Sequence, residues 1–255
     1  MSNGIKEVST SKYLIAYIDI LGIKEKLSSN NEKVRKFNLS MLNHFVEEAK
    51  NGCGSAEYLL DDIDIVCYSD NLLFAYDTTK ASDRDDYIHK CHCLIVYVLC
   101  MQELALANGF MVRGSILFGD LYIDIEKNFV CGKGLIDAYI QESQLAVYPR
   151  IITIDKELLS IIDDIVFGNG STLHNIFRKD FDNIYFLDYL LMTTTTSDLP
   201  IHLEKLKQNY LQYQISERVN EKITQKHDWH INYFNDFCDR VNFPKYKIEV
   251  ANANN

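Results

Sequence analysis

The stretch Lys12-Tyr13-Leu14-Ile15-Ala16-Tyr17-Ile18-Asp19-Ile20-Leu21-Gly22 is apolar almost throughout, rich in β-prone residues, and stopped by a glycine. An apolar run of this length without polar alternation predicts a strand buried on both faces, at the centre of a sheet. Asp19 is the only carboxylate in it and sits near its C-terminal end. Burying a lone carboxylate there costs several kcal/mol, so Asp19 calls for a partner.

Outward from that strand, residues 30–49 carry Val34, Phe37, Met41, Leu42, Phe45 and Val46 at helical spacing. After a loop at Gly52–Gly54, Ile63-Asp64-Ile65-Val66-Cys67-Tyr68 and Leu72-Leu73-Phe74-Ala75-Tyr76 read as strands. Only Ser69-Asp70-Asn71 separates them, and its turn chemistry predicts a hairpin with Asp70 at the tip. Residues 83–108 form a long helix with Ser82 as candidate N-cap, an acidic first turn and Gly109 as its stop. Residues 110–118 and 121–125 read as a strand pair around Gly119-Asp120, 132–148 as a helix ended by Pro149, and 150–154 as a strand. An edge strand at 183–191, a polar linker at 193–197, helices at 201–219 and 220–241 and a frayed end complete the chain. The order predicts an α+β fold of the palm or ferredoxin-like kind, with helices on one face of the sheet. The expected division is a catalytic domain over 12–192 and a C-terminal helical extension over 199–243.

Across 255 residues, 47% are hydrophobic, with 16 Tyr and 13 Phe, enough for a sizeable core. The net charge of −10 and the lack of a long basic patch argue against a nucleic-acid partner. An anionic substrate would therefore arrive with its own metal ions. The longest apolar run, 93–101, is about half a membrane span, and the first residues lack the apolar core of a signal peptide. Seven cysteines, an odd number in mostly apolar surroundings, suit reduced thiols, and a cytoplasmic location is expected. Cys91-His92-Cys93 with Cys100 resembles a metal cluster only on paper, because helical geometry points Cys91 and Cys93 about 200° apart.

If the hairpin pairs with the first strand, Asp19 and Asp70 meet at neighbouring strand ends, with no Lys or Arg nearby in sequence. Two such carboxylates invite two Mg²⁺ or Mn²⁺ ions about 3.5–4 Å apart, bridging triphosphate oxygens for in-line displacement by a hydroxyl. Either aspartate alone also fits an Asx cap with no ligand. Their pairing in this topology favours metal.

The motif Ala16-Tyr17-Ile18-Asp19-Ile20-Leu21-Gly22-Ile23 resembles the first strand of class III nucleotidyl cyclases. Tyr68-Ser69-Asp70-Asn71 resembles that family's Gly-Asp hairpin, Val112-Arg113-Gly114-Ser115-Ile116 with Gly119 its next strand, and Gly132 the opening of its next helix. The resemblance covers about residues 12–155. It implies metal binding by Asp19, Ile20 and Asp70, catalytic roles for Asp19, Asp70 and Arg113, and nucleotide binding by Ile20, Gly22 and Lys133. It further implies a head-to-tail homodimer.

Two departures stand out. Ile136 and Ile140 fall where ordinary adenylyl and guanylyl cyclases carry a transition-state Asn and Arg, and Val66 and Phe129 fall at the purine-recognising positions. The layout that runs on through Ala138-Tyr139, Glu142, Ala146 and Tyr148-Pro149-Arg150-Ile151, with the tail Lys226-His227-Asp228-Trp229 and Tyr233-Phe234-Asn235, is similar to the pyrimidine cyclases of Pycsar anti-phage systems. That similarity implies conversion of UTP or CTP to the 3′,5′-cyclic monophosphate, sensed by a separate effector. A catalytically silent palm-like domain that binds a nucleotide or a protein is the alternative, and a nucleotidyltransferase on the same palm is a third.

Arg113, in a β-prone run, can offer its planar fork to phosphate or base, or form a structural ion pair. Lys133, at a helix start, can touch phosphate or face solvent. Glu142 and Arg150 read as a structural pair linking helix to strand, and Trp229 as a packing anchor.

Overall fold

The computed structural model describes residues 7–51, 62–161, 176–191, 199–216 and 221–249. The expected Gly52–Gly54 loop, the 193–197 linker and the frayed end fall outside the described residues. The run that opens the chain is the central strand β1 (Ser11–Leu21) of an eight-stranded sheet, so the expected α+β class is the observed one. On one side β1 pairs antiparallel with β3 (Asn71–Asp77), which forms a hairpin with the outer strand β2 (Ile63–Tyr68). On its other side lies β4 (Met111–Asp124), also antiparallel, followed by β6 (Ile151–Thr153), β8 (Tyr185–Leu187) and the edge strand β7 (Phe177–Lys179). The short β5 (Phe129–Cys131) folds back on the far half of β4.

Two expectations for these strands are corrected. Gly119-Asp120 is no turn: β4 runs through it unbroken for 14 residues. Gly119 is there for contact, since a Cβ on it would come 2.5 Å from the Cα of Gly134 in the helix above. The strand near 183–191 is not at the edge either. β8 is covered by β7, whose three residues, two of them basic, carry too little periodicity to be seen in advance.

The helices are α1 (Ile23–Leu27), α2 (Glu32–Asn51), α3 (Arg84–Ala107), α4 (Lys133–Leu145), α5 (Lys156–Ile161), α6 (Leu199–Ser216) and α7 (Glu221–Arg240). Strand alternation divides them between the faces. Leu14, Ala16 and Ile18 of β1 point into the larger core, shared with α2, α3, α6 and α7. Tyr13, Ile15 and Tyr17 point the other way, where Leu135 and Ala138 of α4 meet them. The expectation of helices on one face alone is thus corrected by α4, which the paired glycines let lie close on β4. On α2, Leu42, Phe45 and Ala49 are buried while Val34 and Phe37 are exposed, so its apolar stripe is shorter than the spacing implied. The N-cap of α3 is Asp83 rather than Ser82; its carboxylate accepts from the Asp86 amide at 2.9 Å. By length and composition α3 is apolar enough to cross a membrane, but two-thirds of its most apolar window is packed inside the protein, as befits a core helix.

Candidate active site

The hairpin turn joining β2 to β3 is only two residues, Ser69 and Asp70, with Ser69 in the left-handed region at φ 58°. A positive φ at the first turn residue matches the twist of the strands and throws Asp70 forward. Register then decides the rest. Asp19 lies opposite Asn71 on β3 and opposite Arg113 on β4, and the Ile20 amide donates to the Asp70 carbonyl at 3.0 Å. The two aspartates therefore do meet at adjoining strand ends, as expected.

Asp19 is not unpaired. The Arg113 Nε–H donates to its Oδ2 at 3.1 Å, from 94 residues away in sequence. The same Nε lies 2.6 Å from Oε1 of Glu142, which rises from α4 with only 3% of its side chain exposed. That carboxylate was expected to pair with Arg150, and it does not. Arg150 is fully buried and turns instead to Asp180 and Asp182, under the rings of Tyr148, Phe186 and Trp229. Trp229 is the anchor it was expected to be, stacked on Tyr148 and Tyr233 and donating from Nε1 to Asp180 at 2.7 Å.

Burial pushes the Asp19 carboxyl up from its ordinary range, opposed by Arg113 and by Lys226 of α7, and assisted by the Asp70 charge. Glu142 is pushed up to about 7, again chiefly by burial against the pull of Arg113, with Asp19 adding to the rise and Lys226 opposing it. Charge thus alternates across the site from Asp19 through Arg113 and Glu142 to Lys226, with Asp70 adding a second negative group at the hairpin tip.

Beside the charges lies an open apolar cavity of about 480 Å³, lined by Tyr17, Tyr68, Phe129, Ile136 and Tyr139, with Asn128 at its rim. Tyr17 is two residues before Asp19, hence on the same face of the sheet, and its hydroxyl donates to Asn71 Oδ1 at 2.8 Å. The Tyr139 ring meets Tyr17 edge-on at 6.3 Å. Burial raises the Tyr68 phenol to about 12, so it is a neutral donor at physiological pH.

Among the described residues no group of three or more His, Cys, Asp or Glu forms a ready-made metal cage. Two carboxylates still fit Mg²⁺ or Mn²⁺, because Mg²⁺ keeps several waters and is commonly held by one or two carboxylates plus substrate phosphates. Burial and the Asp70 charge both disfavour the ionised Asp19 carboxylate, and a cation held there would offset them.

No family model and no curated protein matches the sequence. Among solved structures the chain is similar to the adenylyl cyclase CyaB from P. aeruginosa, at 14% identity and TM-score 0.48 over 71% of this chain and 96% of that one. It is similar also to the guanylyl cyclase Cya2, at 14% identity and TM-score 0.42 over 71% and 94% of the two chains. A bacterial light-regulated adenylyl cyclase is similar at 11% identity and TM-score 0.42, over 79% and 100%.

The remaining site residues divide. Ile20 places its side chain in the larger core and only its backbone at the hairpin tip. Gly22, at φ 75° and with open space around it, ends β1 and starts α1. Lys133 is not brought to the carboxylates: it pairs with Asp137 at the far end of α4, about 13 Å of helix rise from Glu142. Val66 is buried in the smaller core and does not line the cavity, whereas Phe129 does. Glu142 as partner of Arg113 was missed in the sequence. The signal for it is the spacing Leu135, Ala138, Glu142 on α4, which puts the acid on the helix face that meets the sheet.

Proposed function

We propose that this chain is a nucleotidyl cyclase that converts a pyrimidine nucleoside triphosphate, UTP or CTP, to the 3′,5′-cyclic monophosphate and pyrophosphate. The observation that carries the proposal is the meeting of Asp19 and Arg113, on one sheet face, with Asp70 at the adjoining hairpin tip, beside an aromatic cavity. In the reaction the ribose 3′-oxygen bonds to the α-phosphorus, the bond from that phosphorus to the β-phosphate bridging oxygen breaks, and the hydroxyl proton passes to solvent. Bound Mg²⁺ or Mn²⁺ would supply charge neutralisation on the triphosphate and activation of the attacking oxygen. Asp19 and Asp70 hold these ions, and Arg113 faces the phosphates. Tyr17, Tyr68, Phe129 and Tyr139 offer faces on which a base stacks, at about 1–3 kcal/mol per base. Apolar walls select mainly by size, which favours the smaller ring.

In this proposal residues 12–192 form the catalytic domain and 199–243 a helical extension packed on it, the active unit is a cytoplasmic homodimer, and the product signals to a separate effector in anti-phage defence. One observation favours the silent-domain alternative: Ile136 and Ile140 expose apolar side chains on α4. The test offers the purified protein all four ribonucleoside triphosphates with Mn²⁺ and identifies products by mass. cUMP or cCMP should form, and Asp19→Ala and Asp70→Ala should each abolish turnover with the fold intact. Dominant cAMP or cGMP would refute the pyrimidine assignment, and no consumption of any triphosphate would favour the silent domain.

A further inference from the structure

Arg113 carries one hydrogen on Nε and faces two carboxylates with it. That hydrogen goes to Asp19 Oδ2 at 3.1 Å. Glu142 Oε1, although 2.6 Å from the same nitrogen, is held by charge alone and is a buried acceptor without a hydrogen-bond donor. Leaving such an acceptor unsatisfied is costly, and charge-assisted hydrogen bonds are the strong ones. Both contacts use Nε; among the described residues no hydrogen bond is taken by the terminal amino groups of the guanidinium, the fork suited to phosphate.

We infer that Glu142 is the positioning residue for Arg113, retaining the guanidinium in the site when Asp19 is given up to a divalent cation and aiming its terminal amino groups at the triphosphate. The inference rests on the cyclase proposal above and deepens it. Arg113 and a cation compete for Asp19, and Glu142 decides the competition by offering the guanidinium a second negative charge, which the neutral glutamine cannot supply. Its position suits the task. Glu142 stands on α4, a rigid element fixed to β1 and β4, and its own side chain is almost wholly enclosed. Without it, Arg113 has only Asp19 to return to, and it then both blocks the cation and turns away from phosphate.

The test measures binding without turnover in the full-length protein and in Glu142→Gln, Arg113→Ala and the double variant. Gln is nearly isosteric, so the fold should survive, and thermal unfolding checks it. Mn²⁺ alone is titrated by electron paramagnetic resonance, and 3′-deoxy-UTP and 3′-deoxy-CTP, which lack the attacking hydroxyl, are titrated by calorimetry with Mn²⁺ present. Arg113→Ala should bind Mn²⁺ alone more tightly and the triphosphates about tenfold or more weakly, the scale of one charge-assisted contact. Glu142→Gln should weaken both, and most of its effect on triphosphate should vanish in the Arg113→Ala background. Wild-type affinities in Glu142→Gln, or an undiminished effect in the double variant, would overturn the inference. If the wild type binds Mn²⁺ but no triphosphate, the cyclase proposal fails, and the inference fails with it unless the Mn²⁺ series keeps its expected order. That series, opposite in sign for the two single variants, then decides the Arg113–Glu142 relation by itself.

Discussion

His230 shows how far a single side chain can be pushed by its surroundings. It is buried in α7, with Nε2 hydrogen-bonded to the hydroxyls of Tyr189 and Tyr210, and Nδ1 is enclosed without a partner. Burial, with His227 adding to it, depresses its pKa to about 3. The folded protein therefore binds this proton less readily than the unfolded chain, whose histidines titrate near 6.5. Its contribution to stability is fully present above about pH 6.5 and is lost as pH falls through the window down to about 3. Relative to His230→Gln, the wild type should lose about 2 kcal/mol between pH 7 and pH 5, measured as the difference in urea unfolding free energy at the two pH values. A difference that stays constant with pH would mean that His230 accepts a proton in the folded state. At this scale the sequence was informative about Asp19 and Asp70, because a carboxylate in an apolar strand and one in a tight turn are local signals. It was silent on Arg113 meeting Asp19 and misleading on Glu142, because those partners are chosen by strand register and by the helix lying across the sheet. Nothing within a few residues of Arg150 shows that it is claimed by Asp180 and Asp182.

The element that most shapes the site is α4, and two glycines set its height. A Cβ on Gly119 would stand 2.5 Å from Gly134 Cα, and one on Gly134 would stand 2.6 Å from Ile15 Cδ1 and 2.9 Å from the Gly119 carbonyl carbon. Backbone cannot yield as a flexible side chain can, so Gly119→Ala should lift α4 at a cost of about 1–3 kcal/mol. At this chain length that is roughly 2–4 °C of melting temperature per kcal/mol, readable by calorimetry. Because Tyr139 and Glu142 ride on α4, activity should fall at temperatures where the variant is still folded; unchanged melting and activity would show that the contact is not tight. The same glycines explain where element prediction failed. In sequence, Gly119-Asp120 looks like a turn, and only the helix above it reveals that the missing side chain serves close approach. Elements announced by long apolar runs, β1 and α3, or by helical spacing, α7, were legible. The three-residue strands β6 and β8 were anticipated within 150–154 and 183–191, whereas β5 and β7, stabilised by their neighbours in the sheet, were not.

For the whole molecule, the face that carries the cavity also exposes several large apolar side chains. Phe129, Ile136 and Tyr139 line the cavity and are 50%, 59% and 55% exposed, and Ile140, one turn on from Ile136, is 40% exposed. A cluster of large apolar side chains left open in a chain of net charge −10 marks an interaction surface. A second copy fits it under the proposed homodimer, because a two-fold axis sets the same apolar patch against itself and requires no complementary charge. Sedimentation at micromolar concentration should therefore give a dimer, and Ile136→Asp, which sets a carboxylate on each side of that axis, should shift the species to monomer and remove activity. Asp19→Ala leaves the cavity intact, and Phe129→Ala leaves the carboxylates intact. If metal-binding aspartates from one copy work with the cavity wall of the other, mixing these two weakened variants should restore part of the activity, up to about a quarter of the wild-type level for random exchange with one repaired site per mixed dimer. An active species that sediments strictly as a monomer, or a mixture no more active than its components, would place the complete site within one chain.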